Sequence, residues 1–279
     1  MTDTYTLKHS LNQEFITALT EVVKVTNALE IPYFIAGATA RDIVMHGIFG
    51  HAPGRATADI DTAIFVDTWG QFEDIKASLI SSGLTETDLV HRLREPKSGY
   101  PVDILPFGAL EDAERRIQWP PKHEETMSVI GFKEAFESSL QVEIDGLAFN
   151  VASLPGIALM KLIAWGERGN ENSKDASDFL LLLNKYQLIH QDRIWEDYVP
   201  KEFDYDVELV TAFLLGFDVR DILKAESEEV LLSIKNEHQD RFLTAMARGN
   251  GSVNLDDLEN QLNAFWRGVF DDRLKEEGD

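Results

Sequence analysis

The chain of 279 residues contains no cysteine, which excludes disulfides, thiolate metal sites and cysteine nucleophiles. Basic residues are scarce: 26 Lys and Arg stand against 49 Asp and Glu, a formal net charge of −23. Such a surface repels a polyanion on average, so any nucleic-acid contact has to be local or screened by metal ions. Its plainest use is solubility. Long apolar runs are missing as well. No stretch approaches the roughly 20 residues that cross a bilayer, and residues 1–8 carry no apolar signal core, so the expectation is a cytoplasmic protein with no membrane partner. Heptads, fixed-period repeats and low-complexity tracts are also absent. What remains is ordinary globular material, with 44% hydrophobic residues, 16 Phe and 5 Trp, enough for one large core or two modest ones.

Apolar spacing of three and four at Phe15, Ile16, Leu19, Val22 and Val23 predicts a helix over residues 11–29. Residues 31–36 read as a strand, Gly37 as a turn, and 39–46 as a helix ending near Gly47. A loop over 49–58 leads to a strand at 60–66 and a helix at 69–82. Strands at 89–93 and 102–107 flank the turn chemistry of Pro96-Lys97-Ser98-Gly99. Strands at 141–144 and 147–152 flank Asp145-Gly146, a strong hairpin signal. After Pro155 the periodicity is helical, at 157–165, 174–186, 207–215 and 255–270, with Trp165, Trp195 and Trp266 read as core. The expected architecture is α/β (α+β), a mixed sheet with flanking helices over residues 1–153 followed by an all-helical half over 154–279.

Three features carry chemistry. Asp59 and Asp61 stand two apart at the entrance of an apolar strand, so the strand period of two points both to one side. Like charges that close repel unless a cation or proton separates them, and such oxygen pairs suit Mg²⁺ or Mn²⁺. Asp103 interrupts the apolar run Val102-Asp103-Ile104-Leu105, where it lies either on a solvated face or beside a partner. If its strand neighbours the Asp59–Asp61 strand, three carboxylates converge. Finally, Ile35-Ala36-Gly37-Ala38-Thr39-Ala40-Arg41-Asp42 runs from strand through glycine into helix. That junction is either an ordinary tight turn or an anion site offering backbone N–H groups, the Thr39 hydroxyl and the Arg41 cation. The seven His residues show no zinc-protease spacing. Trp119-Pro120-Pro121 reads as a rigid loop with a packing role.

A strand, a Gly37 turn, a helix, Arg55-x-Thr57-x-Asp59-x-Asp61 and a later Asp103 on its own strand resemble, in that order, the nucleotidyltransferase fold shared by DNA polymerase beta. Arg55-Ala56-Thr57-Ala58-Asp59-Ile60-Asp61 followed by Pro101-Val102-Asp103-Ile104-Leu105 is most similar to the AbiEii/AbiGii toxin-type nucleotidyltransferases. Leu159-Met160-Lys161-Leu162-Ile163-Ala164 and Lys174-Asp175-Ala176-Ser177-Asp178 are similar to that family's helical-half lysine and its later Lys-Asp-x-x-Asp stretch. The resemblance covers residues 31–183. One departure is the turn, where Ala38 follows Gly37 in place of the superfamily's Gly or Ser, leaving Thr39 as the hydroxyl candidate. The Arg41-Asp42 pair is similar to the Arg-Asp after the glycines of tRNA nucleotidyltransferases.

The resemblance implies metal-dependent transfer of a nucleotidyl group from an NTP, ATP among them. It implies that Asp59 and Asp61 hold the nucleotide-bound ion, and that Asp103 with Asp61 holds a second and helps deprotonate the acceptor. Lys161 would act as a catalytic cation on the phosphates. Gly37, Ala38, Thr39, Arg41, Arg55, Lys174 and Asp178 would line the nucleotide, with Asp178 orienting Lys174 across one helical turn. A solvated helix face is the alternative for Lys161 and Lys174, and an exposed loop for Arg55. The implied acceptor is RNA or tRNA, as for the toxin of a toxin–antitoxin or abortive-infection system with an antitoxin protein as partner. Two alternatives stay open. One is a small-molecule acceptor of the aminoglycoside kind, which an acidic cleft would attract; the other is a non-catalytic nucleotide-binding module.

Overall fold

Asn12 starts the first helix, its Oδ1 accepting from the backbone N–H groups of Glu14 and Phe15 at 2.8 and 3.2 Å, which satisfies donors that the first turn cannot. The helix, α1 (Gln13–Ala28), buries Phe15, Ile16, Leu19, Val22 and Val23. The computed structural model describes residues 4–52, 59–169, 173–248 and 254–271. It divides into two compact units, Met1–Ser153 and Leu154–Asp279.

In the first unit, β1 (Thr4–Thr6) precedes α1, and β2 (Tyr33–Ile35) follows it, buried at every position. The chain then turns at Gly37 into α2 (Gly37–Asp42), which continues as a π-helical turn over Ile43–Ile48. Next come β3 (Ile60–Phe65), α3 (Trp69–Ser81), β4 (Thr85–Glu86), β5 (Arg92–Arg94) and β6 (Pro101–Phe107). The unit closes with β7 (Arg116–Gln118), β8 (Thr126–Ser128), α4 (Phe132–Glu137), β9 (Leu140–Ile144) and β10 (Leu147–Val151). Eight strands form one mixed sheet in the order β1-β9-β10-β2-β3-β6-β5-β4, while β7 and β8 form a separate hairpin. The expected mixed α/β class is therefore the observed one. Asp145 and Gly146, with φ of 51° and 79°, make the turn between β9 and β10 as their left-handed preference requires.

Register is what the site inherits. The strands β3 and β6 run parallel with Asp61 opposite Asp103, and β5 runs antiparallel to β6 with Arg92 opposite Asp103. Opposed residues share a sheet face, so Arg92, Asp103 and Asp61 form one row across three adjacent strands. Further along the same face, Phe34 of β2 packs edge-on against Phe107 of β6 at 5.7 Å and against Phe132 of α4 at 6.1 Å. These rings pin the strands on either side of β3.

In the second unit every described element is helical: α5 (Leu154–Arg168), α6 (Lys174–Lys185), α7 (Val207–Ile222), α8 (Ala225–Glu237), α9 (Gln239–Ala247) and α10 (Leu255–Phe270). Short 3₁₀ turns at Tyr186–Leu188, Gln191–Trp195 and Lys201–Phe203 connect α6 to α7. Two glycines let α7 and α10 touch backbone to backbone. A Cβ on Gly216 would collide with the Phe265 carbonyl, and one on Gly268 with the Phe213 carbonyl.

Several elements escape the sequence reading. The strands β1, β4, β7 and β8 have two or three mostly polar residues each, too few for an alternation to register. In α8 only Ser227, Leu231 and Ile234 are buried, too narrow a stripe to announce a helix. The helix after Gly37 starts two residues early and runs through Gly47, because the π turn carries the chain past it. Trp165 and Trp266 are core, but Trp195 is 68% exposed on a 3₁₀ turn and packs on Tyr205, itself exposed, at 4.9 Å. Residues 53–58, with Arg55, lie outside the described residues.

Replacing Gly268 by Ala should lower stability by about 1–3 kcal/mol through overpacking, despite a helix-propensity gain of about 1 kcal/mol. Urea unfolding followed by circular dichroism measures it, and an equal or higher midpoint would refute the close-approach account.

Candidate active site

Asp59 lies one residue before β3, Asp61 within it and Asp103 within β6. One oxygen from each carboxylate comes within 4.8 Å of the others. Asp103 is buried at 7% exposure, so the solvated-face reading of this residue is overturned. The reason is its place in the sheet, with the apolar Val102 and Ile104 on either side and β3 and β5 alongside.

Gly37 is part of the site through what it lacks. Its φ is 61°, and a Cβ there would collide with Asp61 Oδ2 and lie 3.1 Å from Asp61 Cγ. The bare backbone at the strand-to-helix turn therefore leaves room for the Asp61 carboxylate. The backbone N–H of Ala36 donates to the Asp61 carbonyl at 2.9 Å, extending the β2–β3 pairing up to the turn.

Two residues expected to face a phosphate do something else here. Thr39 is fully buried and donates its hydroxyl to the Asp59 carbonyl at 3.0 Å. It fixes the backbone that carries Asp59 and offers no free hydroxyl. Arg41 is 3% exposed and grips Asp42 Oδ1 through Nε and Nη2 at 3.1 and 2.9 Å. A buried guanidinium holds a nearby carboxylate, and at this turn Asp42 is such a partner for Arg41. Ala38 is half-exposed, which agrees with small residues leaving the turn accessible.

The residue missed by sequence reading is Arg92. Its Nε and Nη2 donate to the two oxygens of Asp103, each at 2.6 Å, and Nη2 lies 3.8 Å from Asp59 Oδ2. The guanidinium is pushed above its already high range by the hydrogen bonds to Asp103 and, against the cost of burial, by the charges of Asp103, Asp59 and Asp61. The hairpin across residues 95–100 held the clue, because facing positions mirror about a turn and Arg92 mirrors Asp103. Beside it, His91 packs on Trp119 at 5.2 Å. Burial holds this imidazole below its usual range, against the pull of Asp103. Trp119 itself is buried against Trp69 and Phe72, the packing role expected of it.

In the second unit, Lys161 of α5 reaches Asp175 at 3.0 Å and Asp178 at 2.7 Å, both on α6. Arg168 adds a 3.0 Å contact to Asp175. Asp178 is expected to orient Lys174; in the structure it also pairs with Lys161 at 2.7 Å, one of three contacts here that tie α5 to α6. Lys174 is exposed at the start of α6. Burial would lower Lys161, but the charges of Asp178 and Asp175 outweigh it and raise it. Burial would raise Asp175, but Lys161 and Arg168 outweigh it and hold it below its ordinary value.

A family model described as nucleotidyl transferase AbiEii toxin, type IV TA system, matches residues 25–264. The chain belongs to this family. It is accordingly a nucleotidyltransferase. No curated protein matches the sequence. Among solved structures it is similar to the antibiotic-resistance factor ANT(2″)-Ia, at 13% identity over 82% of this chain and 100% of that one, with a TM-score of 0.39. It is similar to an antigenic nucleotidyltransferase-like protein from Paracoccidioides brasiliensis, at 16% identity over 84% and 94%, TM-score 0.40. It is also similar to the Thermotoga maritima CCA-adding enzyme complexed with tRNA, at 13% identity over 96% and 84%, TM-score 0.27. Likeness at this level carries no argument about substrate.

For an AbiEii-family nucleotidyltransferase the donor set fits a divalent ion. Three carboxylates converge, all-oxygen in chemistry, and one is seated where a side chain on Gly37 would have displaced it. No helix among the described residues is long and apolar enough to cross a membrane.

The Lys161 network sets a pH dependence. Asp175 sits below its ordinary 3.8, so its contribution is fully present above that value and lost as pH falls through the lower folded value. Lys161 sits above its ordinary 10.5, so its contribution is present below that and lost as pH rises through the higher one. Between those limits Lys161→Met should cost about 2–3 kcal/mol, less than a fully buried pair because Arg168 remains. The cost should shrink near pH 4, where the stranded carboxylates take up protons. Urea unfolding at neutral and acid pH reads both, and a pH-independent loss would contradict the pairing.

Proposed function

We propose that this chain transfers a nucleotidyl group from an NTP to an RNA acceptor, tRNA foremost, as the toxin of a toxin–antitoxin pair in the cell interior. The observation that carries the reading is the row of carboxylates Asp59, Asp61 and Asp103 beside Gly37, in a chain whose residues 25–264 match the AbiEii family. Asp59, Asp61 and Asp103 would hold Mg²⁺ or Mn²⁺. That ion supplies neutralisation of phosphate charge and acidification of the acceptor hydroxyl.

The chain's own residues do the rest. In transfer the acceptor oxygen forms a bond to the α-phosphorus, the bond from that phosphorus to the bridging oxygen breaks, and pyrophosphate departs. The hydroxyl proton needs a base, a part that the resemblance gives to Asp103 with Asp61, and the half-exposed Asp59 and Asp61 keep the row reachable by an acceptor. Gly37 and Ala38 keep the turn bare enough for a phosphate to approach. Thr39 holds Asp59 in place through its backbone carbonyl. By the family resemblance alone, Lys161, Lys174 and Arg55 would serve as cations for the phosphates, Lys161 from its place between Asp175 and Asp178. An antitoxin protein encoded alongside is the partner that this reading implies.

One observation favours a second acceptor class. The net charge of −23 draws a polycationic small molecule more readily than a polyanion, and the aminoglycoside-like alternative rests on that charge alone.

Incubation with each labelled NTP, Mg²⁺ and total RNA should label RNA. The label should fall by about a hundredfold or more with Asp59→Ala or Asp61→Asn, the size expected when electrostatic stabilisation of transfer is removed. Label on an aminoglycoside and none on RNA would shift the acceptor to the second class. Binding of NTP with no product on either would overturn the enzyme reading in favour of a nucleotide-binding module.

A further inference from the structure

Arg92 is placed on the row of acidic residues by register, and the permanence of its charge sets it apart from the carboxylates there. Directly opposed to Asp103 across β5 and β6, it covers both carboxylate oxygens with parallel N–H donors at 2.6 Å. Bidentate pairing of this kind is the strongest geometry that an arginine offers a carboxylate. A guanidinium does not lose its proton in a protein. The positive charge on Asp103 can therefore be cleared only by moving the side chain, never by titrating it.

The three carboxylates are not covered equally. Arg92 is 2.6 Å from Asp103 but 3.8 Å from Asp59. The Asp103 side chain is 9% exposed and that of Asp59 is 33% exposed. A dication approaching Asp59 meets a carboxylate one-third exposed, with the guanidinium no nearer than 3.8 Å. One approaching Asp103 meets a fixed cation already seated on both oxygens, and like charges that close repel. The side chain has somewhere to go, because Arg92 is itself 28% exposed.

We infer that Arg92 is a positioning residue that reserves Asp103. It neutralises the buried carboxylate while no nucleotide is bound, and it keeps a second divalent ion off the row until the negative charge of an NTP draws the guanidinium away. This inference rests on the reading of Asp59, Asp61 and Asp103 as ion ligands. The first ion then binds through Asp59 and Asp61 alone, and the second is nucleotide-dependent. The consequence for the reaction is order: the complete ligand set assembles only around a bound triphosphate.

The test counts ions and does not need turnover. Mn²⁺ is titrated into the full chain and followed by the electron paramagnetic resonance of the free ion, with and without α,β-methylene-ATP. Wild type should bind one Mn²⁺ alone and two with the analogue. Arg92→Gln should bind a second Mn²⁺ without nucleotide, at least about tenfold more tightly than wild type, the scale of effect on metal affinity seen when a residue supporting a ligand is changed. Arg92→Lys keeps the charge but loses the fork, so it should give a smaller shift of the same sign and serves if the glutamine variant does not fold. Adding Asp103→Ala to Arg92→Gln should abolish the extra ion. The melting temperature of Arg92→Gln should fall in EDTA and recover with Mn²⁺ more than wild type does, because the ion replaces the missing cation. Identical titrations of wild type and Arg92→Gln, both binding Mn²⁺, would overturn the reservation and leave the active-site reading standing. Wild type that binds no Mn²⁺ under either condition would overturn both.

Discussion

Three carboxylates with oxygens within 4.8 Å of one another repel, and the first unit is arranged around containing that repulsion. The β3–β6 register creates the problem by setting Asp61 opposite Asp103, and the β5–β6 register answers it by setting Arg92 opposite the same aspartate. Neither pairing is adjustable by a single residue. A one-residue slip of β5 would send Arg92 to the other face and take its charge from Asp103. The aromatic cluster of Phe34, Phe107 and Phe132 packs on the same face further along these strands, so apolar packing at one end supports the polar row at the other.

Gly37 and Thr39 show how a turn can serve a site indirectly. Gly37 yields space to the Asp61 carboxylate, and Thr39 anchors the carbonyl of Asp59. The turn's chemistry is thus spent on orienting acidic groups, while Arg41 pairs with its neighbour Asp42. Charge in this unit is managed pair by pair, which is how a chain of net charge −23 keeps acidic side chains at low exposure.

The helical unit repeats the principle with different parts. Lys161 sits between Asp175 and Asp178, so one lysine from α5 closes two carboxylates on α6. Both partners were visible as a Lys-Asp-x-x-Asp stretch, yet their pairing was not, because helix spacing says which residues share a face and nothing about which neighbouring helix that face meets. The same gap explains Trp195, whose ring looks like core material by type but stands 68% exposed on a 3₁₀ turn.

Much of the site was legible locally. Asp59 and Asp61 announced themselves by their spacing, Asp103 by interrupting an apolar strand, Gly37 by its place between strand and helix, and the Asp145-Gly146 hairpin by turn chemistry. Each of these is a preference of residues within a few positions of one another, and such preferences are written in sequence. The convergence of Asp103 on the pair, the claim of Arg92 upon it, and the inward commitments of Thr39 and Lys161 were settled only by tertiary structure. Those depend on strand order, register and helix contact, which join residues 11 to 42 positions apart. A side chain's type fixes what it can bind, but its surroundings fix what it does bind.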